Sequence, residues 1–434
     1  MTIRFSKHRL ANGLDVLLHE DHTCPIVAVN IWYHVGSKNE RPGHTGFAHL
    51  FEHLMFEGSQ HYDRAYFHPL QGAGASLNGS TNADRTNYWE VVPSGALDLA
   101  LWMESDRMGF LLPALTEAKF ANQRDVVLNE RRQNYENRPY GLASMALLAA
   151  LYPPDHPYHW TTIGEIADIE ALRLDEVHAF FQRYYHPANA SLALAGDIDS
   201  EAALALVRAY FEEIPAGPRV EPVRASAAVD RETRLLLEDR VELPRLYVTW
   251  LTPAMFADAD AELDLAADLL ANGKTSRLFK RLVFEGRIAT DVSASQNSRE
   301  IGGFLQLAAT AAPGHTLAEL ERVMLDEIAG LTAGGPTAVE IERGRAQAES
   351  QFVFRLQTVG GFGGKSDQLN AYNVFVGDPM YFDRDLARYQ NATAASIGDA
   401  VARYLAPERR VTLSIVPRGR ADLAIPDSSP VAVS

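Results

Sequence analysis

At 434 residues the chain is too long for one hydrophobic core, so two or more domains of ordinary size are expected. Forty Lys and Arg against fifty-six Asp and Glu leave a net charge of −16, which disfavours a nucleic-acid partner and favours cationic ligands through long-range steering. No apolar run approaches the ~18 residues a membrane span needs, and the single cysteine, Cys24, excludes an internal disulfide and a cysteine-based zinc site, leaving histidine and carboxylate as metal ligands.

The amino terminus lacks an apolar stretch of signal-peptide length, which points to the cytoplasm, or to the periplasm if a leader has been removed. From Arg9 to Asp21, alternating apolar residues flank Asn12-Gly13, a hairpin signal, and a second strand is predicted over Ile26 to Tyr33. Phe47-Ala-His-Leu-Phe-Glu-His-Leu-Met-Phe-Glu-Gly58 then reads as a helix closed by a glycine suited to a C-cap. On such a helix His53 lies about 40° around from His49 and one turn along, so both imidazoles can reach one ion. Glu52 falls on the same face. This His-x-x-Glu-His order reverses His-Glu-x-x-His and suits the same chemistry, in which a carboxylate beside a zinc-bound water takes a proton as that water attacks a peptide carbonyl.

A catalytic zinc needs three protein ligands and one open position. The predicted helix Thr116 to Asn137 offers Gln123 and Glu130 two turns apart on one side. Glu130 is the first choice as third ligand, with Glu136 and Asp125 open on spacing alone.

The order of elements then repeats. Leu235 to Asp239, Pro244 and a strand through Trp250 match the opening strands about 220 residues earlier. Arg403-Tyr-Leu-Ala-Pro407 before Val411 to Val416 likewise matches Arg183-Tyr-Tyr-His-Pro187 before Ala190 to Ala195. Strands mix with helices in both copies, so the expected fold class is α+β in two homologous halves: residues 1–215 bearing the metal motif, a Pro- and small-residue-rich linker at 216–232, and residues 233–434 without the motif. The zinc helix's counterpart is expected near Glu262 to Gly273, where Asp264 and Asp268 stand but no histidine does. One zinc per chain follows. Gly360-Gly-Phe-Gly-Gly364 reads as a loop or hinge, since no strand precedes it at phosphate-loop spacing. The last ten residues are expected to fray.

With these motifs the sequence resembles the pitrilysin/insulinase family of metallopeptidases, and within it the half-length, processing-peptidase-like subfamily. The resemblance rests on the Asn-Gly hairpin, the inverted motif, the 76 residues separating His53 from Glu130, Gly72-Ala-Gly-Ala-Ser-Leu-Asn78-Gly-Ser-Thr81 with Asp84, Thr86 and Tyr88, and Tyr-x-x-Pro-x-Asn at Tyr184 to Asn189. It implies zinc held by His49, His53 and Glu130, with Glu52 as general base. It also implies two mainly antiparallel halves facing each other across a cavity, and a peptide substrate added as a strand within Ala75 to Val91. Ala75, Ser76, Leu77, Asn78 and Tyr88 are the substrate-contacting residues so implied.

Two departures from the family pattern stand out. Gln123 occupies a position where an acidic residue often supports the glutamate ligand. In the second half, an Arg and a Tyr seven apart are replaced by Val283 and Thr290, neither of which stabilises an oxyanion as a guanidinium or phenol does. The resemblance therefore implies a zinc endopeptidase subunit that pairs with a homologous partner supplying Arg and Tyr, or forms a homodimer in its absence. The alternative is a catalytically silent structural or peptide-binding subunit.

Overall fold

The computed structural model describes residues 3–433. Among them, two six-stranded sheets form. The first contains β1 (Ser6–Arg9), β2 (Asp15–Glu20), β3 (Ile26–Tyr33), β4 (Ser76–Thr81), β5 (Thr86–Pro93) and β6 (Ala190–Gly196), in the order β1-β2-β6-β3-β5-β4. The second contains β7 (Thr233–Asp239), β8 (Arg245–Thr252), β9 (Ala289–Asn297), β10 (Gly303–Ala311), β11 (Val411–Pro417) and β12 (Ser429–Pro430), in the order β12-β7-β11-β8-β10-β9. Both sheets are mainly antiparallel, with β2 parallel to β6 and β7 parallel to both β11 and β12. Strands β2, β6, β3, β5 and β4 thus have counterparts in β7, β11, β8, β10 and β9, so the internal repeat extends to strand order and direction.

The chain forms two compact units that do not follow a contiguous cut. One takes the chain up to Asn129, Thr162–Val223 and Gln351–Arg384; the other takes Glu130–Thr161, Arg224–Ser350 and the chain from Asp385. Residues 216–232 carry no helix or strand, and the chain passes between units inside them. The exchange has a physical cause. Every residue of β6 is buried, so neither face of the strand is left to water, and the helix Lys365–Phe375 packs against it. In the second unit the helix Ala143–Leu151, apolar nearly all round, packs on β8 and β11 in the same manner. The tail differs from expectation too: Ile425 is buried and Ser429–Pro430 pairs with β7, because an apolar residue and free strand edge are both available there.

Polar bonds fix the Lys365–Phe375 helix on the first sheet. Asn370 Nδ2 donates to the Asn30 carbonyl at 2.8 Å. The Asp367 carboxylate accepts from Asn30 Nδ2 at 3.2 Å, Trp32 Nε1 at 2.8 Å, Asn87 Nδ2 at 3.3 Å and the Gly363 amide at 2.7 Å. Substituting Asp367→Ala strands three buried side-chain donors, each at about 1–3 kcal/mol. Urea unfolding is therefore expected to show a loss of about 3 kcal/mol or more; a loss below about 1 kcal/mol contradicts the hub assigned to Asp367.

Candidate metal centre

The motif helix runs Phe47–Leu54 and buries Phe47, Ala48, Leu50, Phe51 and Leu54. Its start is fixed by Glu40, whose carboxylate accepts from the amides of Gly46 at 3.1 Å and Ala48 at 2.8 Å, where a helix favours negative charge. Gly46 has φ of 91°, and a Cβ there would lie 2.9 Å from Ile169 Cγ1, so glycine is required on both counts. The helix ends at Leu54 rather than at Gly58. Gly58, with φ of 99° and the Arg64 carbonyl 2.8 Å from its would-be Cβ, serves instead the tight loop that follows. With the apolar face committed to the core, His49, Glu52 and His53 remain together and half-buried.

The second helix, Glu117–Arg131, begins after Thr116, whose hydroxyl accepts from the Lys119 amide at 3.3 Å. Its predicted last turn is a π-helical segment, Arg132–Glu136. There the fully buried Arg131 donates to Glu136 at 2.7 Å, which commits that carboxylate. Asp125 is exposed. Glu130 joins the histidines: His49, His53 and Glu130 each present a donor atom, all within 4.8 Å of one another, and the two imidazole centroids lie 4.9 Å apart. Zinc bonds of about 2.0–2.2 Å place donors around one ion up to about 4 Å apart, so small side-chain rotations close this set on a single ion. Two imidazoles and a carboxylate, with no thiolate, suit zinc. Among the described residues this is the one group of that kind. Asn134 Nδ2 donates to Glu130 Oε1 at 3.3 Å from the π-helical turn, and the Tyr135 phenol is pushed up by burial and by the Glu130 charge.

A cleft of about 620 Å³ opens beside the motif helix and is lined in part by Glu52, His53, Phe56, Glu57, Asn78 and Gln123. Gln123 donates its side-chain amide to the Glu57 carboxylate there. Strand β4 is the outer strand of its sheet and pairs only with β5 among the described residues, so Ser76, Leu77 and Asn78 lie on an open edge with Ala75 just before it. Tyr88 does not fit the substrate contact expected of it. It is fully buried on the inner strand and donates to the Phe51 carbonyl at 3.2 Å, so it braces the motif helix from beneath. The Arg107 guanidinium supports the same layer, paired with Glu104 and lying 4.3 Å from the Tyr88 ring and 5.5 Å from the Phe56 ring. Sequence reading missed Glu40, Arg107 and Asn134. Glu40 precedes Gly46 and the helix formers, a cap at unusual distance; the other two carried no local signal.

Residues 15–156 match the description of the insulinases, peptidase family M16, and residues 171–348 match that of the peptidase M16 inactive domain. The chain belongs to peptidase family M16. Among M16-related proteins, it is 28% identical to a protein of Helicobacter pylori named zinc protease PqqE over 359 residues, which is 80% of this chain and 79% of that one. It is 22% identical over 416 residues to YmxG of Bacillus subtilis, an uncharacterized zinc protease, covering 95% and 98% of the two chains. A solved protease structure from Helicobacter pylori superposes with a TM-score of 0.88 at 24% identity, covering 96% of this chain and all of that one. A structure described as a peptidase M16 inactive domain, from Pseudomonas fluorescens, gives 0.85 at 19% identity over 99% of this chain and all of that one. These last two likenesses establish the fold.

In this M16 chain the second half of the sequence has no equivalent of the metal group among the described residues. Its helix Asp260–Ala271 holds Asp264 against the Tyr389 hydroxyl at 3.0 Å and Asp268 against Asn272 Nδ2 at 3.0 Å. Val283 packs against the apolar core, while the Thr290 hydroxyl donates to Asp291 at 3.1 Å. Arg281 is committed to Glu327 at 2.9 Å. For the metal group, Asn134→Ala is expected to weaken zinc binding by about 10-fold in competition with a chelating dye. Unchanged affinity contradicts a positioning role for the Asn134 bond.

Proposed function

We propose that this chain is the zinc-bearing subunit of an endopeptidase that hydrolyses peptide bonds in unfolded peptides or short segments. The observation that carries the reading is the convergence of His49, His53 and Glu130, with Glu52 on the same helical face as the two histidines. Zinc held by these three supplies Lewis acidity, making water nucleophilic near neutral pH and polarising a carbonyl. Glu52 acts as general base: its carboxylate takes a proton from the attacking water, the C–N bond breaks, and Glu52 returns the proton to the departing amine. An extended peptide pairs with the open edge of β4, so main-chain bonds hold it while side-chain pockets select it.

The second half bears on how the enzyme is assembled. Val283 and Thr290 offer a developing oxyanion neither a guanidinium nor a phenol. We therefore assign Arg and Tyr contacts to a homologous partner in a heterodimer, with one zinc per chain of the type described here. The same two residues also favour a second reading, a catalytically silent structural or peptide-binding subunit, and a homodimer is the assembly left if no partner exists.

Two measurements separate these readings. Glu52→Gln is expected to keep one zinc per chain and to lower kcat of the assembled enzyme by about 10²–10⁴-fold; near-normal turnover removes Glu52 from its role. The purified chain alone is expected to cleave a peptide library slowly, and a homologous subunit carrying the Arg and Tyr to raise that rate by about 10²-fold or more. Full activity from the isolated chain contradicts the partner assignment, and no activity in any pairing supports the silent subunit.

A further inference from the structure

The Gly360–Gly364 run has no part in the metal chemistry, yet it places a large aromatic ring in water. Phe362 is 51% exposed. The loop lies flat on the first sheet: a Cβ on Gly360 would come within 2.6 Å of both Ala28 Cβ and Val91 Cγ2, so only glycine permits this approach. Gly361 and Gly363 take φ of 80° and 78°, and the Gly363 amide is tied to Asp367. The loop is thus a fixed platform, and Phe362 stands from it with its ring 5.5 Å from that of Trp89 at 86°, an edge-to-face pair.

Trp89 sits opposite Asn78 across the β4–β5 register, so their side chains share one face of the sheet. On that face of β4 the residues are Ser76, Asn78 and Ser80, all small and polar. Asn78 folds back on its own strand, its Oδ1 accepting from the Gly79 amide at 2.8 Å. A shelf therefore runs from the open edge of β4 to the Trp89–Phe362 pair. Strands lie about 4.8 Å apart, so a large side chain on a strand added beyond β4 spans the shelf and meets the aromatic wall.

We propose that Trp89 and Phe362 form the wall of a side-chain subsite that takes a large apolar or aromatic residue of an extended peptide paired to the outer edge of β4. The subsite rests on the strand-addition reading above. It lies on the opposite face of the sheet from Tyr88, so it takes one of the two alternating sets of substrate side chains.

The test uses the full chain carrying Glu52→Gln, so that peptides are bound but not cut, and fluorescently labelled ten-residue peptides in which one Phe is moved along an alanine-based sequence. Anisotropy titration is expected to show tighter binding for Phe at one position by about 10-fold, and Phe362→Ala to reduce that preference to about 3-fold or less. Asn78→Trp, which fills the shelf without touching the loop, is expected to abolish the preference as well. A preference that survives both substitutions overturns the subsite while leaving strand addition intact. Failure of every peptide to bind removes strand addition, and the subsite with it.

Discussion

Two imidazoles one helical turn apart reach a common ion only if their helix is prevented from rotating, and that constraint organises the first unit. Phe47, Leu50, Phe51 and Leu54 lock one face of the motif helix into the core, which leaves a single orientation for His49, Glu52 and His53. Glu40 holds the helix start and the Tyr88 hydroxyl holds the Phe51 carbonyl, so both position along the axis and rotation about it are fixed. Glu130 comes from a helix whose end is set by the buried Arg131 and its bond to Glu136. The polar donors are thus held by bonds and packing that lie outside the metal group itself.

The duplicated sheets show how one plan can support unequal halves. Strand order and direction recur, and in each unit a helix from the other half of the sequence covers a strand buried on both faces. The chemistry does not recur. Where the first half places histidines, the corresponding region of the second has Asp264 and Asp268 bonded to Tyr389 and Asn272, a purely structural use of the same space. Repetition of backbone topology requires only that apolar periodicity be kept, so polar residues on the non-core face are free to differ.

How much of this was legible in the sequence follows from how local each signal is. The His-x-x-Glu-His spacing, the Asn12-Gly13 turn and the repeated strands are short-range patterns, and the strands and both helices lie where those patterns put them, with ends shifted by a few residues at Gly58 and in the π-helical turn. Glu130 was distinguishable from Asp125 and Glu136 only through family resemblance; in space, exposure of one and the Arg131 bond of the other make the difference. Tyr88 was misassigned because a strand's alternation does not reveal which of its faces meets the motif helix. The exchange of residues 130–161 and 351–384 was illegible, since it depends on which sheet needs a cover, a long-range fact with no local mark. Phe362 was visible only as the one large residue of a glycine-rich loop or hinge.

The account stands on one claim about matter in space: His49, His53 and Glu130 hold the same zinc ion. Anomalous diffraction at the zinc edge, from crystals of the full chain grown with stoichiometric zinc, tests it directly. The account predicts one strong peak within about 2.2 Å of a nitrogen of each histidine and a carboxylate oxygen of Glu130. A peak at other residues, or a zinc bound by the histidines with Glu130 turned away, contradicts it.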